Sequence, residues 1–218
     1  MKKIPKAGDI FSFQIAPDEF AFGRVMLNLR TQCLDKKLIG SDNPLNLFED
    51  GNFMLADLYR ETSSGDLPEA RSIAISGILT TYTFLALGIW MIVGLESVNP
   101  QEVDFPEGIS VESVTKAALV RGELKISFNM DIEEVEKIGI YPKTFPPSML
   151  SEILLFNLGR GNEINNKNSE NKDYLGMSNL DLRYSKHRER VYELLGEDMN
   201  ESYYDKACRY GFDLKRFY

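Results

Sequence analysis

The chain has 218 residues, 43% of them hydrophobic, and a net charge of −8. That apolar content excludes wholesale disorder and suffices for one domain or two small ones. The acid excess lies in the first half: residues 1–109 hold 15 acidic and 9 basic side chains, and residues 110–218 hold 18 and 16. An acidic surface repels phosphate backbones, which argues against nucleic acid as a direct ligand and suits a basic protein partner; the bland alternative is that the charge only keeps the protein soluble.

A β-hairpin is predicted at the start. Gly8-Asp9 turns the chain, Ile10, Phe11 and Phe13 form a short apolar strand, Ala16-Pro17-Asp18-Glu19 has turn chemistry, and residues 20–29 form a longer strand. In that second strand Arg24 shares a face with Phe20 and Phe22. An arginine among aromatics stacks and still reaches a carboxylate or phosphate, which would mark a binding face. The preferred reading is structural, a pair with Asp9 or Asp57 on a neighbouring strand. Residues 33–51 are polar and turn-prone, with a helical turn at 44–48, and Glu49-Asp50-Gly51 precedes a strand at 53–59. A loop at 62–66 follows.

Residues 72–95 contain no charged side chain. The run is long enough to cross a bilayer, and a membrane span is one reading of it. Thr80, Thr81, Tyr82 and Thr83 in its middle and glycines at 77, 88 and 94 favour the other: buried strands at 73–76, 78–87 and 89–93. Basic side chains are absent between Arg71 and Lys116, so the far flank lacks a cationic anchor. Five or six short strands in about 100 residues suggest a strongly bent sheet or an SH3-like, partly open barrel.

Beyond Pro106, residues 112–120 and 124–128 alternate as half-exposed strands do. A helix is predicted over 131–138, with Asp131 as N-cap and Gly139 past its end. Residues 148–156 read as a helix, and 159–172, Asn-rich and polar, as a mobile loop. Helical spacing covers 182–195, with Gly196 as C-cap. A last helix spans about 201–210, with Asn200 as N-cap, and an aromatic tail docks on the body. The predicted class is α+β: a β-rich unit at 4–108 and a mixed, mostly helical region at 109–218, either separate or packed as one unit with the first.

The chain offers little for catalysis. Two cysteines, Cys33 and Cys208, and one histidine, His187, form no CxxC or Cys/His cluster, so zinc and iron–sulfur sites are not expected. So sparse a pair of thiols suits a reduced compartment, and the basic start at Met1 leads into no apolar signal core, so a cytoplasmic protein is expected. His187 stands among Lys186, Arg188 and Arg190 on a face that reads as solvated, and Cys33 reads as a buried, inert thiol. Nucleophile-elbow, P-loop, dinucleotide-binding, HExxH and EF-hand patterns are absent. No catalytic residue, metal ligand or cofactor site is assigned, and no enzymatic activity is expected.

Gly8-Asp9-Ile10-Phe11, followed by Phe20-Ala21-Phe22-Gly23-Arg24-Val25 and by a tryptophan-bearing strand at Ile89-Trp90-Met91-Ile92-Val93-Gly94, resembles the immunity protein 26 family of bacterial polymorphic toxin systems. The resemblance covers roughly residues 4–105. It implies a β-rich protein that binds a cognate toxin and neutralises it by stoichiometric occlusion, with the acidic first half facing a basic toxin. The motif residues belong to the fold, so no binding residue transfers from the family. Candidate contacts come from the chain itself: Asp18 and Glu19 at the hairpin tip, Glu49 and Asp50 before residue 53, and Arg24. A Gly-Asp-aliphatic opening also begins PemK-like barrels, so a nucleic-acid-binding or ribonuclease-type barrel is the alternative. Exposed aromatics in the last helix suit a homo-oligomer.

Overall fold

The computed structural model describes residues 4–48, 51–164 and 172–218. Strands β1 (Asp9–Ala16) and β2 (Glu19–Asn28) form the opening hairpin, in register Phe11↔Gly23 and Phe13↔Ala21. Pro17 and Asp18 make its turn; Asp18 adopts φ +57°, a left-handed conformation that Asp tolerates better than most residues. The close approach of β1 and β3 to β2 requires glycine at position 23, where a Cβ would sit 2.5 Å from the Phe11 ring and 2.8 Å from the Asp57 carbonyl oxygen. After β2 the chain enters a π-helical turn at Leu29–Leu34 and a 3₁₀ turn at Pro44–Phe48.

Strands β3 (Phe53–Ser63), β4 (Ile73–Thr81) and β5 (Met91–Leu95) complete an antiparallel sheet of order β4-β3-β2-β1-β5. β3 runs on through Thr62 and Ser63, where a loop was expected. Register shifts interrupt every strand pair of this sheet, as bulges that bend strands do.

The charge-free run is divided otherwise than its glycines suggested. Gly77 does not end a strand but lies inside β4 at φ +57°, in the stretch where β4 slips register against β3. The strand expected over 78–87 stops at Thr81, because the chain then closes one helical turn, α1 (Thr83–Ala86), in which the Ala86 amide donates to the Tyr82 carbonyl. Trp90 follows and stacks on Phe11 at 5.2 Å between ring centroids. Among the described residues, no helix is long and apolar enough to cross a membrane.

A second antiparallel sheet, β6 (Glu107–Ser113), β7 (Lys116–Arg121) and β8 (Leu124–Asn129), has order β6-β7-β8. The class is α+β, and both sheets are open; neither closes into a barrel. The C-terminal helices are α2 (Ile132–Ile138), α3 (Leu150–Asn157), α4 (Met177–Leu180), α5 (Arg188–Leu195) and α6 (Tyr203–Arg209). Gly139 and Gly196 end α2 and α5 in the left-handed conformation, as their positions predicted. The helix expected over 182–195 begins instead with a 3₁₀ turn at Leu182–Tyr184, fixed by the Asp181 carboxylate accepting from the Arg183 amide. Ser202 rather than Asn200 caps α6, accepting from the Asp205 amide at 3.1 Å. Of the loop expected over 159–172, residues 165–171 lie outside the described residues.

Three apolar clusters form most of the core. Phe11, Phe13, Leu58 and Trp90 on one side of the first sheet pack with Leu150, Ile153 and Leu154 of α3. Met26, Leu27, Leu55 and Leu79 pack with Phe105, Tyr203, Leu214 and Phe217, so the aromatic tail is docked. Ile109, Leu119 and Phe128 pack with Val135 and Val191. Residues from both sides of position 108 share the first two clusters.

Candidate functional site

The hairpin tip holds two of the candidate contacts, and they differ. Asp18 is exposed. The Glu19 carboxylate is engaged: Arg160 donates to both its oxygens at 2.7 Å, and the Thr62 hydroxyl donates to Oε1 at 2.6 Å. The Arg160 and Thr62 hydrogen bonds draw the Glu19 carboxyl down to about 2. Glu19 thus ties the hairpin to the segment after α3 rather than standing free. Glu49 and Asp50 lie outside the described residues.

Arg24 is only 5% exposed. The β2–β3 register sets it opposite Asp57, and its guanidinium lies 3.6 Å from Asp57 Oδ2, 2.8 Å from Glu96 Oε1 and 3.7 Å from Glu102 Oε2. Of the two pairings offered by sequence, Asp57 is therefore the one made; the Asp9 carboxylate accepts instead from the Lys6 amide. Glu96 also accepts from Arg71 at 2.8 Å, and Arg71 lies over the Tyr59 ring. Asp57 Oδ1 accepts from the Gly77 amide at 2.8 Å. Burial pushes the Asp57 carboxyl above its usual range, against the pull of the Gly77 N–H and Arg24. Enclosed in this way, Arg24 presents no exposed binding face; it holds β2, β3 and the end of β5 together.

The same pattern recurs across the first half. Arg30 pairs with Asp35, Ser72 donates to Glu61, and Arg121 holds Asp104 and Glu107. The acid excess expected to face a partner is in good part consumed by internal contacts. Free carboxylates gather elsewhere, in an open cleft where the β6–β7 turn meets the start of α2, lined by Val114, Asp131, Ile132, Glu133, Glu134 and Lys137. The Ile132 amide donates to the Val114 carbonyl, which fixes the two elements together. Asp131 and Glu133 are exposed, and Glu134 lies 3.8 Å from Arg190. Among the described residues neither Asp131 nor Glu133 has an ion pair. Nothing local in the sequence of the helix expected over 131–138 shows that Val114 lines a cleft with Glu133 and Glu134.

Several apolar side chains in and just before β5 are exposed. Leu87, Ile89, Met91, Val93 and Leu95 are 39–75% exposed. Another cleft, between residues 40–44 and the β7–β8 turn, includes Glu123, whose buried carboxyl accepts from Asn43 and Arg216 and is raised by burial. No group of metal-ligating side chains occurs among the described residues. Cys33 is buried, and burial pushes its thiol up to about 12; Cys208 is exposed. Compared with family models, with curated proteins and with solved structures, the chain matches none.

Proposed function

We propose that this protein is a stoichiometric inhibitor, an immunity protein acting in the cytoplasm that binds and occludes a basic bacterial toxin. The observation that carries the reading is the acidic cleft at the start of α2. Asp131 and Glu133 are exposed and have no ion pair among the described residues, and they line one cleft with Glu134, Lys137 and Val114, the last 70% exposed. Carboxylates in one cleft with an apolar side chain suit a lysine- or arginine-bearing protein surface, with the charges raising the association rate and the apolar contact slowing release. The resemblance of the opening hairpin to the immunity protein 26 family supports the same reading. The ribonuclease-type alternative has no comparable support, because an acidic cleft repels a phosphate backbone.

The test is co-expression with the toxin encoded by the neighbouring gene. Growth is expected to be rescued, and the purified pair is expected to bind one to one. Asp131→Lys with Glu133→Lys should slow association at low salt by about tenfold or more while leaving the fold intact, both side chains being exposed. Toxin-expressing cells that still die despite abundant soluble protein would overturn the reading.

A further inference from the structure

The cleft at the β7–β8 turn carries chemistry that toxin binding does not use. Its volume is about 570 Å³, within the range of small-molecule sites, and it lies at the opposite end of β7 from the acidic cleft beside α2. Its walls come from residues 40–44, from the β7–β8 turn with Lys125, and from Tyr210 and Phe212 beyond α6. Glu123, on one of these walls, is 2% exposed. Its Oε1 accepts from the Asn43 side-chain amide at 2.8 Å and from Arg216, while its buried Oε2 has no hydrogen-bond partner among the described residues. A buried acceptor without a donor is destabilising, and native folds rarely leave one. Of the two donors to this carboxylate, Asn43 is the one that lines the cleft, so displacing its amide admits a ligand N–H to Glu123.

The charges of the cleft select the ligand. Arg216 balances Glu123, and Lys125 is taken by Glu112 at 2.9 Å. Asp42 is exposed, accepts from the Ser41 hydroxyl at 3.3 Å, and has no ion pair among the described residues. One negative charge is therefore left over. An adjoining cleft of about 430 Å³ shares Asp42, Asn43, Pro44 and Lys125 with the first and adds Leu47 and Val111, which are 77% and 42% exposed. We propose that the two clefts together bind a small amphipathic cation. Its ammonium or guanidinium group sits between Asp42 and Glu123, beside the Tyr210 and Phe212 rings, and its apolar body runs toward Leu47 and Val111. A phosphate- or carboxylate-bearing ligand does not fit, because two carboxylates meet it and the lysine is already paired.

Phenylbutylamine is the probe, and phenylbutyrate, the same body with the opposite charge, is its control. In a titration of the full chain followed by amide NMR, the amine should shift the signals of residues 40–47, 123–125 and 210–212, with a Kd on the order of 1 mM, as suits a fragment of this size. Phenylbutyrate at about 10 mM should leave those signals in place. Glu123→Gln and Asp42→Lys should each weaken the amine about tenfold. Glu123 also holds Arg216, so should its variant fold poorly, Asp42→Lys, at an exposed position, carries the same test. Cleft signals that stay in place at about 10 mM amine, equal binding of phenylbutyrate, or an Asp42→Lys chain that binds the amine as the parent does would each overturn the proposal. None of these outcomes bears on rescue from a toxin, which is read at the other end of β7.

Discussion

Replacing Arg24 with methionine tests whether the buried charges of the first sheet are balanced by one another. The substitution keeps much of the side-chain volume and removes the counter-charge of Asp57, which is 1% exposed. Across the 3.6 Å separating Arg24 Nη2 from Asp57 Oδ2, Coulomb's law at an effective dielectric of about 20 gives about 4–5 kcal/mol. Experience with buried pairs broken on one side gives roughly 3–5 kcal/mol, because the remaining charge is left in a poor medium. Glu96 contributes less to the loss, since it is partly exposed and keeps Arg71.

The sign of the pH dependence follows from Asp57. Its folded-state carboxyl already titrates above the unfolded value, chiefly through burial, and losing Arg24 raises it further. An acid whose folded pKa is raised destabilises the fold above that pKa and ceases to do so as the pH falls through it. The deficit of Arg24→Met relative to the parent should therefore be about 4 kcal/mol at pH 7, a fall in Tm on the order of 10 °C, and should shrink toward pH 5. Adding Asp57→Asn, which keeps an acceptor for the Gly77 amide, should recover at least half of it. Urea denaturation at the two pH values reads both effects. A loss under about 1 kcal/mol at pH 7, or one that does not change with pH, would refute the reasoning.

Two further expectations concern single side chains. Glu19 titrates at about 2 in the folded protein against 4.5 when free, so its contribution is present above 4.5 and is lost as the pH falls through the folded value. With both partners partly solvated, Glu19→Gln should cost only about 1 kcal/mol at neutral pH, and the gap to the parent should narrow below 4.5; a constant gap would count against the Arg160 pairing. For the thiols, dithiobis-nitrobenzoate at about pH 8 should modify Cys208 rapidly and Cys33 only when the protein unfolds, so two fast thiols in the native state would contradict the buried position of Cys33.

The opening hairpin is legible in the sequence because its signals are local: Pro17-Asp18 turns the chain, and Phe11, Phe13 and Phe22 are recognisably core. Arg24 could be narrowed to Asp9 or Asp57, since a strand residue meets its neighbours in register. Its remaining partners, Glu96 and Glu102, are about 70–80 residues away and reach it only after β5 has paired with β1. Glu19 misled for a related reason: a turn carboxylate looks free until Arg160, 141 residues later, arrives beside it. Between 72 and 95 almost every residue is apolar or small, so no alternation separates the exposed side chains from Trp90 and Ile92. Partition of that run is decided by tertiary contacts, the Phe11–Trp90 stack among them, and not by periodicity.

Buried charge also explains why composition divides the chain at about residue 108 while packing does not. Arg121 of β7 reaches Asp104 at 2.6 Å and Glu107 at 2.9 Å, one on each side of the start of β6. Arg183 joins Asp104 at 2.9 Å to Asp181 at 2.6 Å and donates to the Ser76 carbonyl of β4 at 2.7 Å. From α5, Arg188 and the Tyr192 hydroxyl donate to Glu107. Burial works against ionising Asp104, yet Arg183 and Arg121 hold its carboxyl below the usual range. Three arginines and three carboxylates thus balance across four parts of the chain, and removing any part strands a charge that the others were placed to meet. Several acidic residues that look like surface excess along the first half are therefore paired internally: Glu19, Asp104 and Glu107 with arginines of the second half, and Asp35, Asp57, Glu96 and Glu102 with arginines of the first. Asp131 and Glu133, exposed at the start of α2, take no part in this pairing.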